Sequence, residues 1–569
     1  KDLTVNVGSV ILAPGFDAFD PSQYDTYAYA QHPNVLTAME FERVLSASGP
    51  YQGHLQRPSD GAEPKKMAWL QCVGSRDINR CDHGYCSAVC CMYAIKEAVI
   101  AKEHSAEPLD TAIFYMDMRT YGKDFEKYYD RARDEHGVRF VRSRIHTIDP
   151  CEEGRLRLNY ATDSGEAMSE EFDMVVLSVG LQTGKDAVEL AGRLGIELTG
   201  YNFSETSSFL PVGTTKPGVF ACGCFAGPKD IPQAVMEASA AACASSVDLA
   251  ESRGTLTKAV EYPVEKDVSG VDPRIGVFVC NCGINIGGVV DVPAVREYAA
   301  TLPYVEFVDD NLFTCSQDTQ NKIKEKIEEN DLNRVIVASC SPRTHEPLFQ
   351  ETIREAGLNK YLFEMANIRD QDSWVHQKEP EKATAKAKDL VRMAVAKAAF
   401  IEPLHQVDLD LSKVALVVGG GVSGMNSALR LADSGYPVHL VEKTGKLGGN
   451  AHYLLNTWKG EEIAPYLAEL IKKVENHKGI TLHMESEVTE AKGFVGNFTG
   501  RITSQAGQDT NIDFGVVVMA TGGHETQPSE YLYNQHEAVT TSLGFDGQLK
   551  ADPGLAKKLD SVAFIQCVG

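Results

Sequence analysis

Short apolar runs alternate with polar, glycine-bearing and charged stretches along the whole chain. Residues 8–13, 67–73, 111–116, 138–142 and 173–179 read as buried strands, and helices are expected at about 86–104, 122–136 and 231–251. Strands interleaved with helices make an α/β pattern. The charged, proline-containing stretch from Lys258 to Pro273 breaks it, and a new strand, Ile275 to Val279, opens the next region. Two further apolar runs, Leu312-Phe313 and Val335 to Ala338, follow, and an Ala/Lys-rich helix from about 380 to 400 closes that region before Glu402-Pro403. From Lys413 the order strand, glycine turn, helix begins again.

The two ends of the chain repeat one another. Gly8 to Gly15, Ala30-Gln31-His32, Glu40-Phe41-Glu42 and Leu70-Gln71-Cys72-Val73-Gly74 return as Gly515 to Gly522, Tyr533 to His536, Gly544-Phe545-Asp546 and Ile565-Gln566-Cys567-Val568-Gly569. The copies are offset by 507 residues at Gly8 and Gly515 and by 495 at Cys72 and Cys567. Two related modules therefore stand in tandem. The first starts after its own beginning and the second stops inside a motif, so the chain reads as a piece of a longer one. The expected division is 1–265, with an inserted domain at about 62–165, then 270–405, then 410–569.

Charge and composition narrow the chemistry. With 55 Lys and Arg against 79 Asp and Glu, the net charge of -24 disfavours nucleic acid and anionic membrane surfaces. No run of 18 apolar residues and no basic-then-apolar leader after Lys1 is visible, which points to a cytoplasmic protein without a membrane span. Fourteen cysteines in such a chain suggest metal binding or redox chemistry rather than disulfides.

Val414 to Val418 runs into Gly419-Gly420-Gly421-Val422-Ser423-Gly424, a strand entering a GxGxxG turn with the helix Met425 to Ser434 behind it. Gly419 permits the turn, Gly421 lets backbone approach a pyrophosphate and Gly424 lets helix and strand pack closely. Glu442 and Lys443 end the next strand, where a carboxylate meets a ribose. Gly448-Gly449 and Ala520-Thr521-Gly522 resemble the FAD sites of two-dinucleotide-domain oxidoreductases. In the first copy the matching pieces are Ala13-Pro14-Gly15 and Gly227-Pro228-Lys229-Asp230-Ile231, the latter turning into a helix from Pro232 to Ala242. An ordinary strand–turn–helix is the alternative for that last segment.

Cys72, Cys81, Cys86, Cys90 and Cys91 lie on and after the strand Trp69 to Val73, where a related flavoenzyme has the glycine loop of its NAD(P) domain. Four thiolates from a loop and a helix start suit a [4Fe–4S] cube, in which each iron takes one sulfur. Structural zinc, buried thiols and a redox disulfide are the competing readings. A second set, Cys280, Cys282, Cys315 and Cys340, is expected at strand ends along one edge of a sheet, as a second cluster or as inert buried thiols.

The runs Gln71 to Asp77, Tyr85 to Ala94, Gly227 to Pro232 and Ser339 to Glu346 resemble the A-type component of heterodisulfide reductase, whose relatives include components of benzoyl-CoA reductase complexes. The resemblance covers nearly the whole chain. It implies α/β, thioredoxin-reductase-like, FAD-binding Rossmann-type domains in tandem, separated by a small cysteine-containing α/β domain. It further implies an FAD and [4Fe–4S] oxidoreductase subunit that splits electron pairs at flavin in an anaerobic complex. Its partners would be B- and C-type subunits, hydrogenase- or dehydrogenase-type donors and ferredoxin, in a dimer or larger assembly. Carried over, the cluster ligands are Cys72, Cys86, Cys90 and Cys91, with Cys81 competing for the place of Cys72. Glu42 and Lys96 are implied beside the flavin ring, and Asp546 stands for Glu42 in the second copy. The CxxCxxCxxxC insertions common in that family are missing here. A non-bifurcating relay or scaffold, and a self-contained disulfide reductase, are the competing functions.

Overall fold

Runs rich in Val, Ile, Leu and Phe end in glycine or cysteine turns and feed helices, and in a computed structural model describing residues 3–568 they line up as parallel sheets. Lys1, Asp2 and the last residue of the repeat, Gly569, lie outside the described residues. Two units result: residues 1–253 together with 410–569, and residues 254–409. Among the described residues no helix is long and apolar enough to cross a membrane.

The first unit holds two larger parallel sheets. One has the order Val35–Thr37, Met174–Val179, Lys66–Val73, Asp110–Tyr115, Arg139–Arg142. The helices Ala38–Leu45 and Cys90–His104 cover one face, where Phe41 meets Trp69 edge-on at 5.6 Å. A three-stranded antiparallel ribbon, residues 148–172, covers the other with Leu156, Leu158 and Phe172. The second sheet runs Ile480–His483, Val438–Val441, Ala415–Val418, Val516–Met519 and repeats this plan. Helices Val422–Asp433 and Ile463–Asn476 pack on one side, and an antiparallel meander, residues 486–514, lies on the other.

Val10–Leu12 pairs in parallel with Val219–Ala221, and the helix Ile231–Asp248 that follows packs on Val422–Asp433. Segments from the two ends of the chain thus share one unit. Phe209 stacks on Tyr466 at 4.0 Å between ring centroids. Glu461 accepts hydrogen bonds from Ser207 Oγ at 2.8 Å and Ser208 N at 3.1 Å.

Residues 254–409 form a doubly wound unit with strand order Val305–Asn311, Ile275–Cys280, Arg334–Ser339, Phe363–Asn367, all parallel. Helices Val292–Ala299 and Pro380–Ala398 fill one face, and Gln317–Glu329 and Pro342–Glu355 the other. The chain reverses direction across the sheet between the strands ending at Cys280 and Ser339. In open α/β sheets such a switch point is where a crevice opens beyond the carboxyl ends of the strands.

Three local expectations change. The helix placed at 86–104 starts at Cys90, because Ala88 takes φ +62° and keeps Cys86 to Val89 out of helical geometry. The helix placed at 231–251 ends at Asp248 and passes into a tighter turn at Ala250–Ser252. Leu312-Phe313 is not a strand: both residues follow Val305–Asn311 and are exposed at 64% and 47%. That edge strand carries Glu306, Asp309 and Asp310, and the charges hide it from a reading based on apolar runs.

Candidate functional site

The glycine loop is built by steric exclusion. At Gly419, φ is +109° and an added Cβ would stand 2.2 Å from Ala520 O, while at Gly424 it would stand 1.8 Å from Gly419 O. Only glycine fits either place. Gly421 differs: its φ is -73°, it precedes the helix Val422–Asp433, and among the described residues nothing lies within 4 Å of its would-be Cβ. The space over Gly421, Val422 and Ser423 at a helix N-terminus is what a pyrophosphate needs. Gly448 N donates to Gly420 O at 2.8 Å, joining the Gly448-Gly449 turn to the loop. Ala520 N donates to Val418 O at 2.8 Å, so Ala520, Thr521 and Gly522 leave their strand beside Gly419.

Glu442 accepts from Gly420 N at 2.7 Å through one oxygen and from Thr444 N and Oγ1, each at 2.8 Å, through the other. Its carboxylate is fixed at the strand end beside the loop. Lys443 points elsewhere, pairing with Glu487 at 3.0 Å.

In the first copy, Ala13-Pro14-Gly15 follows Val10–Leu12, with Gly15 at φ +80°. Gly227, at φ +146°, and Pro228 lead to Asp230, which caps the helix Ile231–Asp248 by accepting from Gln233 N at 2.8 Å. Lys229 is turned inward, donating to Gly223 O at 2.9 Å and pairing with Glu237 at 2.6 Å, so its charge braces the turn. Ile231 is 80% exposed.

The first thiol set sits at the head of the five-stranded sheet. Lys66–Val73 is followed by a cysteine-bearing loop and then by the helix Cys90–His104, the place where a dinucleotide domain has its glycine turn. The strand end and the loop fold back through left-handed residues, with φ +62° at Cys72 in the strand and +55° at Arg76 and +62° at Ala88 in the loop. Cys72, Cys86, Cys90 and Cys91 are mutual electrostatic neighbours. Burial, reinforced by these neighbours, raises Cys72 and Cys90 above the usual thiol range and pushes Cys91 up to about 11. The Arg76 guanidinium lies against Cys72 and that of Arg119 against Cys86, the two arginines being bridged by Asp117. Cys86 Sγ accepts from Ala88 N at 3.3 Å. Cys81 stands apart: it donates to Asp77 O at 3.3 Å and lies beside Tyr24. Lys96, on the same helix, forms an ion pair with Glu42 on Ala38–Leu45.

The second set lies at the switch point of the other unit. Cys280, Cys282, Cys315 and Cys340 line one pocket with Phe313, His345 and Arg369. Cys280 Sγ accepts from Cys282 N at 3.3 Å and Thr314 N at 3.4 Å. Positive φ at Cys282 (+45°) and Gly283 (+55°) turns the chain back across the strand end. Burial raises the Cys315 and Cys340 thiols. The pocket that these residues line holds about 30 Å³, room for about one water. Sequence reasoning missed Arg369, because it lies 29 residues beyond Cys340 with no motif spacing to mark it.

Among the described residues no three His, Cys, Asp or Glu side chains close into a single-ion site. In a cube each sulfur meets a different iron. By donor type and number, by N–H groups aimed at sulfur and by adjacent guanidinium charge, both sets fit a [4Fe–4S] cluster. The open helix N-terminus at Gly421 with Glu442 beside it fits a dinucleotide such as FAD.

Comparison with known proteins agrees with the motifs. A family model described as pyridine nucleotide-disulphide oxidoreductase matches residues 83–242 and 412–544, more than half of the chain. The chain is 49% identical over 239 residues to the A-type component of the H(2):CoB-CoM heterodisulfide,ferredoxin reductase of Methanothermobacter thermautotrophicus, covering 42% of this chain and 36% of that one. It is 51% identical over 232 residues to an A-type iron-sulfur component of the CoB–CoM heterodisulfide reductase of Methanopyrus kandleri, covering 41% and 35%. The chain thus spans about a third of the length of these relatives. Among solved structures, thioredoxin reductase of Lactococcus lactis matches 43% of this chain and 66% of its own, at 17% identity and a TM-score of 0.29.

Proposed function

Since the chain belongs to the pyridine nucleotide-disulphide oxidoreductase family and is an oxidoreductase, we propose that it is an electron-transfer component of the heterodisulfide reductase A type, using FAD and [4Fe–4S] clusters in an anaerobic complex. Flavin exchanges electron pairs and iron–sulfur clusters single electrons, so a chain holding both converts between the two and suits flavin-based bifurcation. The observation that carries the reading is the thiol set at the end of Lys66–Val73 and after it, standing where a dinucleotide domain keeps its glycine loop. With that place taken by cysteines, a nicotinamide cofactor loses its pyrophosphate seat there.

The residues divide the work. Gly421, Val422 and Ser423 offer backbone N–H groups at a helix N-terminus, and Gly419 and Gly424 keep the loop close to Ala520. Glu442, already anchored by Gly420 and Thr444, holds an acceptor toward a ribose. Lys96 brings a positive charge and Glu42 a proton-accepting carboxylate, paired with each other until a ligand competes. Arg76 and Arg119 offset thiolate charge around Cys72 and Cys86. Partners are other redox subunits and ferredoxin, in line with the names of the relatives.

The test is iron, sulfide and flavin content of the anaerobically purified chain. About eight irons with bound FAD are expected, at about four per cube. Cys90→Ser with Cys91→Ser, and separately Cys280→Ser with Cys340→Ser, should each remove about four. Iron-free protein, or rapid bleaching of the flavin by NADH alone, would overturn the reading.

A further inference from the structure

We propose that Arg369 is the charge-compensating residue of the second thiol site and governs how readily that site accepts an electron. The inference rests on the reading that Cys280, Cys282, Cys315 and Cys340 hold a cluster. Arg369 Nη1 donates to Cys282 Sγ at 3.7 Å, across 87 residues of sequence. Among the described residues it is the only lysine or arginine lining the pocket.

Its position is built in three ways. The strand Phe363–Asn367 ends at Asn367, whose Oδ1 accepts from Arg369 N at 3.3 Å and Asp370 N at 3.0 Å. The next five residues, Arg369–Ser373, form a π-helical turn, a rare geometry concentrated at functional sites. The guanidinium then lies over the Trp374 ring, 4.7 Å from its centroid. Asp370 stands 3.6 Å from Nε, at a different nitrogen from the one facing the thiol. A guanidinium stays charged at any working pH, so this cation is permanent.

The consequence follows from charge. Reduction adds one electron to a site already carrying thiolate charge, with no bond made or broken. Hydrogen bonds to sulfur and net local charge set the potential of such sites. A fixed cation 3.7 Å from one sulfur favours the more negative state and holds the midpoint up. Cys280 already receives two backbone N–H groups that no side-chain change removes. Arg369 is therefore the adjustable part.

The experiment is a reductive titration of the full chain with dithionite, followed by electron paramagnetic resonance and paired with iron counts. The signal of this site is the part lost in Cys280→Ser/Cys340→Ser. With iron retained, the midpoint should fall in the order wild type, Arg369→Lys, Arg369→Gln, Arg369→Glu. Equal midpoints in wild type and Arg369→Gln, at equal iron, would overturn the proposal. Should Arg369→Gln lose iron, retention by Arg369→Lys supports a need for charge, and loss in both with unchanged circular dichroism overturns it. Unchanged iron in Cys280→Ser/Cys340→Ser would instead remove the ligand reading itself, before any Arg369 variant is made.

Discussion

Two glycines of one loop make opposite demands. Gly424 faces the carbonyl of Gly419 at 1.8 Å from its would-be Cβ, whereas Gly421 faces open space. Gly424→Ala should cost about 1–3 kcal/mol of stability through overpacking, measured by denaturant unfolding. Gly421→Ala should keep the fold within about 1 kcal/mol of wild type yet weaken FAD binding by about tenfold or more, measured by fluorescence titration. A role in the fold and a role in binding are thereby separated by one methyl group. Asp372 supplies a second case. It is fully buried, neither carboxyl oxygen has a hydrogen-bond partner among the described residues, and burial raises its pKa to about 6 against the pull of Lys386 and His376. The folded state therefore holds its proton more tightly than the unfolded chain, and stability falls as pH rises between about 4 and 6. Asp372→Asn should remove that slope and gain about 1–3 kcal/mol above it, measured by urea unfolding across pH. The glycine loop was legible in sequence because its three glycines fall at fixed spacing within one strand–turn–helix, although the atom that excludes a side chain at Gly419, Ala520 O, comes from a distant strand. The inward turn of Lys229 was not, since it depends on Glu237 further along the following helix.

At the scale of elements, most strands and helices could be read from apolar periodicity, and the exceptions have physical causes. Ala88 in left-handed geometry delays a helix that composition alone would start at Cys86. Acidic residues mask Val305–Asn311, while apolar Leu312 and Phe313 sit in its loop. The contact between residues 205–210 and 457–466 has no sequence signature, because its hydrogen-bonded residues stand 253 or 254 apart along the chain. Phe209→Ala and Tyr466→Ala should each destabilise the chain by about 1–3 kcal/mol. A double-mutant cycle should give a coupling of about 0.5–1.5 kcal/mol, the worth of a stacked aromatic pair. Glu461 beside them is held down to about 2 by bonds from Ser208, Thr457 and Ser207. Its contribution is present above the usual carboxylate range and fades as pH drops toward 2.

At the scale of the molecule, the tandem repeat was visible in sequence, but the way its parts combine was not. Helix Ile231–Asp248 from one copy packs on Val422–Asp433 from the other, a pairing that only three-dimensional closure decides. Residues 254–409 contain a complete doubly wound sheet with both faces covered. Expressed alone, that segment should unfold in one cooperative step. Residues 1–253 alone should lack that cooperativity for the part around Val219–Ala221, and should recover it on co-expression with 410–569, measured by co-purification and thermal unfolding. The four cysteines of 254–409 line one pocket at the sheet edge where their places after apolar runs put them, whereas the fact that this edge is the switch point follows from strand order, which the sequence does not spell out.

A unit made of 1–253 and 410–569 also imposes a schedule on the ribosome. Once residue 253 has emerged, more than 150 residues must be synthesised before its complement begins to appear, on the order of ten seconds or more at common translation rates. Through that interval Phe209 waits without Tyr466, and the helix Ile231–Asp248 waits without Val422–Asp433. The intervening 156 residues can finish folding in the meantime. Residues 1–253 are therefore exposed to misassembly until 410–569 follow, and slower translation of the middle segment would lengthen that exposure rather than relieve it.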